Sequence, residues 1–206
     1  MPLEHVADLP GHTEPAWAVA FNPTRPIIAS CSTDRTVRLY QYHLESNPPR
    51  VEYLKTISTN HTKSIRSISW APSGKTLATG SFDSSVAVWE EVDPDQEDGE
   101  GVDRRDQGES GSGDKEWECV TTLEGHESEC KSVAFSSDGA LLASCSRDKS
   151  VWVWEGKSIL SAFVWTLSDF LVQPDSDFEC IAVMMEHGQD VKSLAWHPHE
   201  EVSHPI

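Results

Sequence analysis

The chain repeats itself. Four segments begin on a histidine and carry an aromatic residue nine positions later: His12 to Phe21, His61 to Trp70, His126 to Phe135 and His187 to Trp196. In the first three, a run of small residues follows, and an aspartate stands 22 positions after the histidine, at Asp34, Asp83 and Asp148. Six residues further on comes another aromatic: Tyr40, Trp89 and Trp154. In the fourth copy these two positions would lie beyond residue 206. Offsets shared by three copies mean one structural unit used several times. A unit this short buries its apolar face only against a neighbouring copy.

Inside each unit the pattern reads as strands. Val133 and Phe135, Leu142 and Ala143, and Val151 and Val153 sit in short alternating or apolar runs. Turn signals separate them: Asn22-Pro23, Pro72-Ser73-Gly74, Ser137-Asp138-Gly139 and Arg147-Asp148-Lys149. Each unit therefore holds four strands of about five residues. This resembles the WD40 repeat, whose glycine–histidine pair appears as Gly11-His12 and Gly125-His126, with Asn60-His61 and Glu186-His187 departing at the first position. The resemblance implies an all-β fold, a WD40 β-propeller of four-stranded blades. Residues 1–206 then form an incomplete propeller, with about three full blades and part of a fourth. Val6 to Leu9 read as the outer strand of a closing blade. Seven or more blades normally close such a ring, and a half-ring leaves strand edges unpaired.

The family also implies a hydrogen-bonded set of His, Ser, Asp and Trp in each blade. Carried over, the sets are His12, Ser32, Asp34 and Tyr40; His61, Ser81, Asp83 and Trp89; and His126, Ser146, Asp148 and Trp154. Tyr40 replaces Trp but keeps a hydroxyl donor. A Ser-His-Asp set also suggests a hydrolase. Its recurrence in every blade favours a structural role, so no catalytic residue is assigned.

Composition narrows the classes. The chain has 206 residues, a 37% apolar fraction and a net charge of −18. It has no apolar run of membrane-spanning length and no secretory signal at its start. Its acidity argues against nucleic-acid binding. Five cysteines without a CxxC pair exclude a zinc signature or a disulfide framework. They fit a reducing compartment, the cytosol or nucleus. Cys31 and Cys145 occupy the position of Gly80 and read as small packing residues. Cys119 and Cys180 each precede a histidine by seven and read as equivalent strand positions. Cys130 has no counterpart, and His197 and His199 flank Pro198 in a loop. No metal or cofactor ligand set emerges.

Two segments stand apart. Residues 90–116 carry twelve Asp or Glu against three Lys or Arg, half of the total net charge. This stretch cannot bury enough apolar surface to offset its ordering entropy and reads as a disordered acidic insertion. Residues 156–174 are apolar where other copies carry polar loop. Ile159, Leu160, Phe163, Val164, Leu167, Phe170 and Leu171 fit a helical period. The preferred reading is a translated intron: Gly156-Lys157-Ser158 can be encoded by GGTAAGTC, a splice donor, and Pro174-Asp175 by CCAGA, an acceptor. Glu201-Val202-Ser203 can encode a second donor, so residues 202–206 share this reading.

A narrower resemblance rests on three stretches. They are Gly80-Ser81-Phe82-Asp83-Ser84-Ser85-Val86-Ala87-Val88-Trp89, Ser146-Arg147-Asp148-Lys149-Ser150-Val151-Trp152-Val153-Trp154-Glu155, and Phe178 to Val183 leading into Glu186 to Lys192. Together they resemble the WD40 subunit family of the cytosolic iron–sulfur protein assembly machinery. The resemblance implies a non-enzymatic scaffold, cytoplasmic and nuclear. Its partners are then the other subunits of the targeting complex and the apoproteins they serve. The alternative is a generic WD40 adaptor in a ubiquitin-ligase or signalling complex. In WD40 blades the histidine loop and the aspartate turn share one face, the top. Thr33, Phe82 and Arg147 precede the turn aspartates. Trp17, Ser64, Arg66, Glu129, Lys131, Asp190 and Lys192 lie three or five residues after a histidine. These are the candidate partner-binding residues, with Arg147 foremost because Arg and aromatics dominate interface hot spots.

Overall fold

The structure is a computed structural model that describes residues 5–92, 116–156 and 178–198. Twelve strands form three antiparallel sheets of four, each in chain order. The first holds β1 (Ala16–Phe21), β2 (Ile27–Ser32), β3 (Thr36–His43) and β4 (Arg50–Ser58). The second holds β5 (Ile65–Trp70), β6 (Thr76–Ser81), β7 (Val86–Val92) and β8 (Glu116–Leu123). The third holds β9 (Cys130–Phe135), β10 (Leu141–Ser146), β11 (Val151–Gly156) and β12 (Phe178–Met184). No helix long and apolar enough to cross a membrane occurs among the described residues.

Each unit buries its apolar face on the next sheet. Ala29, Cys31, Val37, Leu39 and Ile57 of the first sheet pack with Ile65, Ile68, Trp70 and Leu77 of the second. Ala78, Val86, Val88 and Leu123 of the second pack with Cys130, Val133, Phe135 and Leu142 of the third. Side chains also stitch the sheets. Ser67 and Ser69 hydroxyls accept the N–H groups of Val133 and Phe135 at 3.1 and 3.2 Å. Trp70 Nε1 donates to the Ala20 carbonyl at 3.2 Å.

Bulges recur at the same two places. In β1 the ladder pairs Ala16 with Ser32 and Ala18 with Cys31, so Trp17 is the extra residue. Arg66 and Lys131 are the extra residues of β5 and β9. The outer strands bulge at Leu54, Val120 and Ile181. A bulge re-aims its residue out of the ladder, and these three apolar side chains are exposed, as are Tyr53, Val183 and Met184 beside them on the outer strands.

Several expectations move. Strands run six to nine residues, longer than the five expected. Glu90, Glu91 and Val92 extend β7, and Glu116 opens β8, with Val92 paired to Glu116. The remaining acidic residues, 93–115, lie outside the described residues, as do 157–177 and 199–206 of the apolar segment and the end. Gly156 closes β11 opposite Phe178. The fourth copy carries no strand, because no second strand pairs with it among the described residues. Trp196 Nε1 still donates to the Ala134 carbonyl at 2.8 Å, as Trp70 does to Ala20. Val6 to Leu9 carry no strand for the same reason.

Candidate functional site

The top face is built on the three histidine–aspartate pairs. His12, His61 and His126 place Nδ1 at 2.9, 3.2 and 2.9 Å from the carboxylates of Asp34, Asp83 and Asp148. An ionised carboxylate only accepts, so Nδ1 carries the proton and Nε2 accepts. Nε2 meets Ser30, Thr79 and Ser144 at 2.7, 2.9 and 2.8 Å. Trp89 and Trp154 donate their indole N–H to Thr79 and Ser144, both at 3.0 Å.

The hydroxyl link thus falls two residues earlier than Ser32, Ser81 and Ser146. With Nδ1 fixed on the turn aspartate, Nε2 points down the strand, away from the turn. It meets the next hydroxyl on that strand face, two residues back. Ser32, Ser81 and Ser146 have another task. They donate to the carbonyls of Glu14, Lys63 and Ser128, and accept the N–H of Asp34, Asp83 and Asp148. Tyr40 also departs, because its hydroxyl donates to the Pro10 carbonyl at 3.4 Å and not to Ser30. Ser144 and Thr79 are fully buried, and their hydroxyls tie strands together.

The aspartates are strongly held. Burial pushes Asp34 up, but hydrogen bonds from Thr36, His12 and the Thr13 N–H outweigh it and bring it to about 2. Asp83 and Asp148 move down by the same balance. Burial lowers His126 below its ordinary value, against the opposing pull of Asp148. In acid the unfolded chain therefore binds more protons than the folded one, first at His126 and then at the aspartates. Stability falls as pH drops below about 6.5, with a slope of up to about 1.4 kcal/mol per pH unit from His126. It falls again below about 4, as the unfolded aspartates protonate. Urea midpoints at pH 7.5, 6.5 and 5.5 test this; a midpoint that rises on acidification contradicts it.

The candidate residues meet in one row across the three sheets. The N–H groups of Thr33, Phe82 and Arg147 donate to the carbonyls of Pro15, Ser64 and Glu129, fixing each turn to its histidine loop. Trp17 donates its indole N–H to Thr33 at 2.8 Å. The Arg66 guanidinium lies 4.7 Å from the Trp17 ring centre, and Trp17 and Phe82 are 6.2 Å apart. The Lys131 ammonium stands 4.2 Å from the Phe82 ring centre and pairs with Glu129 at 2.9 Å. Arg147 closes the row, 3.4 Å from Glu129 and 3.9 Å from Asp190. Lys131 and, behind it, Arg147 lower the Glu129 carboxyl below its usual range. Trp17, Arg66 and Lys131 reach the row because each is a bulge residue. Lys192 stands exposed beyond Asp190.

The cysteines lie elsewhere. Cys31, Cys130 and Cys145 are fully buried. Burial pushes the Cys31 thiol up to about 12 and Cys145 to about 11, far from the thiolate a metal needs. A Cβ on Gly80 would meet the Cys130 sulfur at 2.8 Å, which explains the glycine in this one copy. Cys119 and Cys180 pair opposite Trp89 and Trp154, equivalent positions as expected. No group of His, Cys, Asp and Glu suited to a metal occurs among the described residues.

Repeated four-stranded units pinned by His–Asp–Trp links define a repeat protein of the propeller class. The family model described as WD domain, G-beta repeat, matches residues 3–41, 52–90 and 117–155, and the chain belongs to the WD40 repeat family. It is 57% identical over 197 residues to "Probable cytosolic iron-sulfur protein assembly protein 1" of Cryptococcus neoformans var. neoformans serotype D, covering 85% of this chain and 41% of that protein. A protein of the same name in Mycosarcoma maydis is 46% identical over 171 residues, 74% of this chain and 38% of its own length. A "Probable cytosolic Fe-S cluster assembly factor" of Schizosaccharomyces japonicus is 40% identical over 148 residues, 71% of this chain and 20% of that protein. The chain spans about two-fifths of the length of the first relatives it matches.

Proposed function

We propose that the chain is a WD40 scaffold component of cytosolic iron–sulfur protein assembly, and that it works by binding other proteins through its top face. The names of its relatives support the pathway. The single observation that supports the surface is the row from Trp17 to Arg147, which joins aromatic, cationic and carboxylate groups in one fixed array. Partners are the other subunits of the targeting complex and the apoproteins they serve. The place of work is the cytosol, and the nucleus where clients reside.

Arg147 is the best anchor. It is 57% exposed, yet two carboxylates hold its guanidinium in place. A pre-positioned Arg loses little freedom on docking. Arg147→Glu reverses the charge beside Glu129 and Asp190 and is expected to weaken partner pull-down from cell extract by tenfold or more, roughly the effect of a hot-spot residue. The circular dichroism spectrum should stay unchanged, because Arg147 lies outside the packed core. Depletion of the protein should lower the activity of cytosolic iron–sulfur enzymes. Undiminished pull-down would remove the surface from this reading. Intact enzyme activity would remove the pathway and favour a general adaptor.

A further inference from the structure

The clefts between sheets differ at the end opposite the top face. Between the first and second sheets Arg25 spans the gap. Its Nη1 donates to both carboxylate oxygens of Glu91 at 2.9 Å, and Nη2 to the Gly74 carbonyl at 2.6 Å. Asn22 Nδ2 adds a bond to the same carbonyl at 2.8 Å. This clasp closes the first cleft.

The second cleft lacks both halves of the clasp. Arg25 lies 13 residues after its histidine, where the next unit has Gly74. Glu91 lies two residues after Trp89, where the third unit has Gly156. The backbone agrees: the Glu91 N–H donates to the Lys75 carbonyl at 3.2 Å, and the Gly156 N–H to the Ala140 carbonyl at 3.0 Å. With both side chains gone, a cavity of about 470 Å³ lies between the second and third sheets. Pro72, Val88, Val120, Phe135 and Phe178 supply apolar walls, and the Glu90 and Asp138 side chains supply carboxylates. Among the described residues that line it, none is Lys or Arg.

We propose that this cleft binds an arginine side chain presented by an apolar-flanked segment of a partner protein. The bound arginine takes the place that Arg25 fills from within in the first cleft. Its methylene stem packs on Val88, Phe135 and Phe178, as such stems do on apolar surface. Its guanidinium donates to Glu90 and to the Gly139 carbonyl, the repeat counterpart of the Gly74 carbonyl. Charge-assisted bonds from a planar guanidinium suit a carboxylate beside a carbonyl. The net charge of −18 draws a basic segment toward the chain. This site lies on the opposite face from the Trp17–Arg147 row and does not depend on it.

Fluorescence anisotropy of the full chain with fluorescein-labelled Gly-Leu-Arg-Phe-Gly tests the proposal. Saturable binding is expected, weakened about tenfold when citrulline, which keeps the shape and loses the charge, replaces arginine. Glu90→Gln should weaken the arginine peptide by a similar factor. Ala140→Trp, which fills the cleft, should abolish binding. Glu52→Gln removes an equal charge from the first sheet and should change nothing. Circular dichroism verifies that each variant is folded. Absence of saturable binding overturns the proposal. So does equal affinity for citrulline, or binding that survives Ala140→Trp in a folded variant.

Discussion

Replacing Asp83 with alanine is expected to lower the stability of the chain by about 3 kcal/mol, the range for breaking a buried, fully bonded pair. The carboxylate accepts from the His61 ring at 3.2 Å, the Thr62 N–H at 2.8 Å, and the Ser85 N–H and hydroxyl at 3.0 and 2.6 Å. Alanine leaves all four donors without it. The His61 ring is only 2% exposed, so water replaces the lost acceptor poorly and the Ser85 hydroxyl, 3.1 Å from Nδ1, is the group left beside it. Asp83→Asn keeps the shape and one acceptor oxygen, so its cost should be about half. Urea denaturation followed by tryptophan fluorescence gives both values. A loss below about 1 kcal/mol for alanine would mean that the set contributes little.

The same substitution at Asp34 should cost less than at Asp83. The His12 side chain is 9% exposed, so water reaches a stranded Nδ1 more readily. The first set also ends at Ser30, since Tyr40 turns to Pro10. Hydrogen bonds in a connected chain reinforce one another, and a shorter chain has less to lose. The first set is therefore expected to contribute less than the second, both from its more exposed histidine and from its shorter chain.

How much of this was legible in the sequence depends on the kind of contact. The fixed offsets from histidine to aspartate to tryptophan located the sheets, the turns and most of each set. The hydroxyl member was misplaced because the offset to Ser32, Ser81 and Ser146 recurs as faithfully as the offset to Ser30, Thr79 and Ser144. Only the direction of Nε2 separates the two. The bulges did leave a signal. Buried Ile65, Ile68 and Trp70 are spaced by three and then two, as are Cys130, Val133 and Phe135. A strand without a bulge would keep a spacing of two. Read that way, Arg66 and Lys131 are extra residues aimed out of the ladder. The top-face residues were legible because each holds a fixed offset. The stacking of Arg66 on Trp17 and of Lys131 on Phe82 was not, since it depends on how one sheet is rotated against the next. The Arg25–Glu91 clasp was hidden for the same reason: 66 residues of chain separate two side chains that meet only across a seam.

Trp70→Ala is expected to cost about 4 kcal/mol, near the upper range for deleting a large buried aromatic. The ring is 7% exposed within the seam of the first two sheets. It packs edge-on against Trp117 with centres 5.6 Å apart and donates to the Ala20 carbonyl. Alanine leaves a void on one side and an unpaired carbonyl on the other. Phe21 holds the same position in the first unit, nine residues after its histidine, but is 64% exposed. It touches the Tyr42 ring at 5.8 Å and no preceding sheet among the described residues. Phe21→Ala should therefore cost under about 1 kcal/mol, the ordinary result at an exposed site. Denaturation midpoints of the two variants measure the difference directly. Equal losses would mean that something covers Phe21 as well as the first sheet covers Trp70.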